Sequence, residues 1–91
     1  MPARFQLGQT VATPGALEAL SDSAQSAMEF LSRHVAGDWG EIDADGQQAN
    51  DDALLHGDRL LSAYRTIKGV KLWIITEADR SSTTLLLPDE Y

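Results

Sequence analysis

The chain has 91 residues, no cysteine, and 14 acidic against 7 basic side chains, for a net charge of −7. That length holds one domain with one core, and the absence of thiols excludes disulfides and thiolate metal sites. So acidic a surface repels phosphate backbones, and direct binding of nucleic acid is not expected.

Residues 4–12 carry apolar Phe5, Leu7 and Val11 among polar neighbours and predict a short strand. Thr13-Pro14 then marks a helix start, Thr13 as the N-cap and Pro14 at the first helical position, with Ala16, Leu17 and Leu20 as the apolar face. Ser21-Asp22-Ser23 interrupts it. A second helix is expected from Ser26, whose spacing to Glu29 suits a capping box. Its core stripe is read as Met28, Leu31 and Val35 with Phe30 beside them, and Gly37 as the stop.

Asp38-Trp39-Gly40 reads as a tight turn. A third helix follows Asp45, with Ala49, Ala53 and Leu54 inward and Gly57 ending it. Residues 60–67 and 70–76 predict two strands joined at Lys68-Gly69. Trp73-Ile74-Ile75 is apolar on both faces, the mark of a central strand covered by helices on at least one side. A turn at residues 77–81 leads to a last strand over residues 83–87, stopped by Pro88. The expected fold is a single α+β domain over residues 1–91. A short N-terminal strand and two to three helices pack on a C-terminal antiparallel sheet of three to four strands.

No apolar run reaches the roughly 18 residues of a membrane span. The opening Met-Pro-Ala-Arg-Phe-Gln lacks a secretory pattern, so a cytoplasmic location without a membrane partner is expected.

Charge is unevenly distributed. Residues 38–58 hold seven carboxylates (Asp38, Glu41, Asp43, Asp45, Asp51, Asp52, Asp58) and no Lys or Arg. Residues 59–71 hold four bases (Arg59, Arg65, Lys68, Lys71) and no acid. The acidic stretch is either a solvated face or a surface matched to a basic partner. On the second reading Asp38, Trp39, Glu41, Asp43, Asp45, Asp51 and Asp52 form the partner-binding set, with Trp39 as its aromatic anchor. Core packing is the competing role for Trp39, and core is the expected place of Trp73 and Met28.

The segments Leu7-Gly8-Gln9, Thr13-Pro14-Gly15-Ala16-Leu17, Phe30-Leu31-Ser32-Arg33-His34, Gly37-Asp38-Trp39-Gly40, Arg59-Leu60-Leu61-Ser62-Ala63-Tyr64 and Trp73-Ile74-Ile75-Thr76-Glu77-Ala78-Asp79-Arg80-Ser81 stand together. Through them the chain resembles a family of short bacterial proteins of plasmids, integrative elements and phages, often called plasmid-related proteins. Some members carry the label of a restriction–modification subunit. The resemblance covers nearly the whole chain and implies a mobile-element setting without an established activity. Small acidic proteins of that setting include anti-CRISPR and anti-restriction inhibitors, a placement by analogy.

Three alternatives compete with the binding reading. His34 and Glu77 suit a general acid–base pair, with Arg80 stabilising phosphate charge in a small metal-independent nuclease. The bland account makes His34 a structural hydrogen-bonding residue and pairs Arg80 locally within its turn. A calcium-type loop opening at Glu41 would take Asp43 and Asp45 as early ligands, Gly46 at its sharp turn and Asp52 as its closing ligand. Helix capping by Asp45 explains the same residues, and no metal or cofactor is assigned. A homodimer joined through an exposed strand is the third alternative to binding as a monomer.

Overall fold

The computed structural model describes residues 2–91. Four strands form one sheet: β1 Gln9–Ala12, β2 Leu60–Arg65, β3 Lys71–Thr76 and β4 Ser82–Leu86. Three helices lie between β1 and β2: α1 Pro14–Ser23, α2 Ala27–Val35 and α3 Ala44–His56. A single 3-10 turn, Pro88–Glu90, follows β4. The sheet order is β1-β4-β3-β2. The α+β expectation holds, with one difference: β1 joins the meander parallel to β4, so the sheet is mixed.

Alternation along the strands decides which side chains meet the helices. Leu60, Leu72, Ile74 and Leu85 are fully buried, each worth about 2 kcal/mol of apolar burial. Leu72, Ile74 and Leu85 pack with Ala16, Leu20, Phe30, Leu31 and Tyr64 in the main core. A smaller cluster gathers Trp39, Ala53 and Leu60 beneath α3, with Phe5, Ile42 and Leu54 against it.

Thr13 caps α1 as expected, accepting from the Ala16 amide at 3.2 Å. Glu90 adds to that cap from the far end of the described chain, accepting from the Gly15 amide at 3.0 Å. In α2 the expected box does not close. Ser26 makes no side-chain cap, and the Glu29 carboxylate accepts instead from Gln25.

Met28 is 63% exposed rather than in the core, because the buried stripe of α2 runs through Phe30, Leu31 and His34. In α3, Ala49 faces out while Asn50 faces in. There the Asn50 amide bonds both backbone groups of Leu61, donating to its carbonyl at 2.7 Å and accepting from its N–H at 3.1 Å. One polar side chain thus closes part of the outer edge of β2.

Trp39-Gly40-Glu41 closes more of that edge. Ala63 donates to the Trp39 carbonyl at 3.1 Å and accepts from the Glu41 amide at 2.6 Å. Only glycine fits at position 40. Its φ is +74°, and a Cβ there would stand 2.0 Å from the Ala63 carbonyl oxygen.

Candidate functional site

The partner-binding set divides once its side chains are placed. Asp38 pairs with Arg33 at 2.7 Å, and this bond holds its carboxyl below the usual range despite partial burial. Glu41 pairs with Arg65 at 3.0 Å. Asp43, rather than Asp45, is the N-cap of α3, accepting from the Gly46 amide at 2.7 Å. Asp51 receives the indole N–H of Trp39 at 3.4 Å, and Asp52 receives the Gln48 amide at 3.1 Å. Asp45 stands exposed in the first turn of α3, where the helix dipole favours it.

Trp39 is 4% exposed and is therefore a core residue, not a surface anchor. Its ring stacks on Phe5 with centroids 6.2 Å apart. The apolar side chain that α3 does present is Leu55, 81% exposed. At helical periodicity it shares the outward face with Asp45, Gln48 and Asp52. The sequence carries a signal for it: Leu54 falls on the inward stripe, so its neighbour turns about 100° away into the acids.

No calcium-type loop forms over residues 41–52. Helix α3 begins at Ala44, so Asp45, Gly46 and Asp52 are wound into a rod that does not wrap a cation.

His34, Glu77 and Arg80 do not assemble as an acid–base site. The imidazole is fully buried, with Nδ1 2.5 Å from the Ser62 hydroxyl and Nε2 2.8 Å from that of Thr76. Burial, reinforced by the positive charge of Arg80, pushes its pKa down to about 4. Glu77 pairs with Arg59 at 3.2 Å. Arg80 donates to four backbone carbonyls, those of Asp58 (2.6 Å), Glu77 (3.1 Å), Ala78 (3.3 Å) and Ala53 (3.1 Å). A guanidinium so engaged positions a turn, with three of its five N–H donors directed at backbone carbonyls. The structural role weighed for His34 is the one its geometry supports.

Tyr64 is part of the same frame. Its hydroxyl donates to the Asp38 carbonyl at 2.5 Å, and Arg33 lies 4.5 Å over its ring. Burial raises its pKa to about 12, so it stays a donor across the working range.

The other face of the sheet holds a cleft of about 320 Å³ lined by Arg59, Leu60, Leu61, Trp73, Ile75 and Tyr91. Trp73 is half-buried there, edge-on to Tyr91 at 6.0 Å, rather than in the main core. Among the described residues, no helix is long and apolar enough to cross a membrane. Comparison with family models, curated proteins and solved structures gave no match.

Proposed function

We propose that this chain is a non-enzymatic acidic binding protein of a mobile genetic element, acting in the cytoplasm on a basic surface of a host defence complex. One observation carries the reading. The ion pairs among the described residues use Asp38, Glu77 and Glu41, and none uses a carboxylate of α3. The outward face of that helix therefore offers Asp45 and Asp52 around an exposed Leu55. Charges of one sign around an apolar residue suit a partner that brings Lys or Arg around an apolar recess. A channel that holds nucleic acid in an anti-CRISPR or anti-restriction target has that chemistry.

The burial of His34 and the engagement of Arg80 favour binding over the nuclease alternative. The test is affinity capture from the native bacterium with wild type and with an Asp45→Asn, Asp52→Asn, Leu55→Ser triple variant. Wild type is expected to retain a basic complex at low salt and release it as salt rises. The variant, still folded by circular dichroism, retains roughly tenfold less, the equivalent of about 1.4 kcal/mol. Equal capture by the folded variant sinks the proposal.

A further inference from the structure

Behind the second core cluster runs a buried line of polar groups: Ser62, His34, Thr76, Thr83 and the carbonyl of Leu7. Its direction follows from donor counting. The Leu7 carbonyl only accepts, so the Thr83 hydroxyl donates to it at 2.7 Å. With its one proton used, Thr83 accepts from Thr76 at 2.8 Å. Thr76 in turn accepts from Nε2–H of His34 at 2.8 Å. The neutral ring then has a bare Nδ1, which accepts from Ser62. A carbonyl three bonds away sets the tautomer.

We infer that this relay latches the N-terminal segment, residues 4–8, over His34, and that a second proton on the ring opens the segment ahead of the rest of the fold. The extra proton sits on Nδ1 and points at Ser62, whose own proton already points back. Ser62 must turn away toward the neutral Tyr64 hydroxyl beside it, inside a site closed to solvent. No carboxylate meets the new cation among its described contacts. The N-terminal segment brings Phe5 and the 38–40 turn brings Trp39. Strands β2, β3 and β4 bring Ser62, Thr76 and Thr83, all neutral. From the β3–β4 turn comes Arg80, which repels it. On α2 itself, Arg33 is directed to Asp38 and over Tyr64.

The imidazolium must therefore reach water, and the sheet side is the harder exit. On the other side the segment is thin. It is held by the Arg4 amide on the Val35 carbonyl at 2.8 Å, by the Thr83–Leu7 bond, by Phe5 edge-on to the imidazole at 5.1 Å and stacked on Trp39, and by Leu7 against the main core. Gly8, at φ +66°, lets it turn in against the Arg80 and Ser81 carbonyls and is the natural hinge. Lifting a few residues costs less than separating strands.

The experiment is an NMR titration of the intact protein from neutral pH down through the protonation of His34, near 4. Ring nitrogen shifts are expected to show the Nε2–H tautomer at neutral pH. As the ring charges, the Arg4 amide loses roughly tenfold or more of its exchange protection while Ile74 in β3 keeps its own. Thr83→Val, which removes the last link without changing shape, lowers Arg4 protection already at neutral pH. An Nδ1–H tautomer, simultaneous loss at Arg4 and Ile74, a protected Arg4 beside a charged ring, or unchanged protection in Thr83→Val would each overturn the latch.

Discussion

The guanidinium of Arg80 donates to the carbonyl of Ala53 across 3.1 Å and ties the β3–β4 turn to the last turn of α3. The same carbonyl accepts from the Gly57 amide at 2.8 Å and the Asp58 amide at 3.2 Å, so a helix end and a distant turn share one atom. Arg80 does this from a left-handed backbone, φ 60°, that non-glycine residues seldom adopt.

Two substitutions separate these effects. Arg80→Ala keeps the strained backbone and removes the donors, with an expected loss of about 2 kcal/mol in urea unfolding. Arg80→Gly relieves the backbone and is expected to recover roughly 1 kcal/mol of it. Equal stability of the two variants would mean that the turn is not strained.

His34 makes stability depend on pH. Its folded pKa, about 4, lies below the ordinary imidazole value of 6.5. Between those values the unfolded chain binds the extra proton, so stability rises with pH. The contribution is fully present above pH 6.5 and is lost as pH falls to about 4. Its size is about 3 kcal/mol from linkage. Urea midpoints measured across that window check it, and a flat profile would contradict the buried neutral ring.

Trp39 and Leu55 are expected to behave as opposites. Trp39→Ala empties the second core cluster and costs about 3–5 kcal/mol. Leu55→Ser changes stability by less than about 0.5 kcal/mol, as surface substitutions do. Thermal unfolding reads both effects, and partner capture by the stably folded Leu55→Ser protein reads its loss of binding.

Asn50 tests the closed edge of β2. Asn50→Ala leaves both backbone groups of Leu61 without their partners, at about 1–3 kcal/mol for each group left unpaired. Asn50→Asp keeps the shape but replaces the donor with an acceptor facing a carbonyl. Its loss is expected to be at least as large at neutral pH and to shrink on acidification. Denaturant unfolding at two pH values distinguishes them.

Much of the fold was legible because its signals are local. Thr13-Pro14 and Gly57 carry their own backbone chemistry, and the apolar run at Trp73-Ile74-Ile75 needed no partner to mark a central strand. What escaped depends on tertiary pairing. Counting His34 as polar hides the spacing Ala27, Phe30, Leu31, His34 and shifts the stripe of α2 onto Met28. Asn50 reads as a surface residue until β2 supplies a backbone to bond. The parallel docking of β1 follows from three intervening helices that return the chain to the far edge of the sheet. In the candidate site the acidic helix was visible as a charge run. The separation of Asp38, Glu41 and Asp43 from the unpaired Asp45 depended on where α3 starts, which makes Asp43 its cap, and on cations outside the run, Arg33 just before it and Arg65 in β2.

The sealing of β2 by Asn50 and the 39–41 turn makes the sheet one-sided in growth. Its outward backbone groups at Leu61 and Ala63 are occupied, whereas β1 shows no backbone bond on its outer edge among the described residues. Two copies that paired along β1 would use the open margin of each. Nothing would remain for a third, so strand addition ends at a pair instead of running on into a fibre.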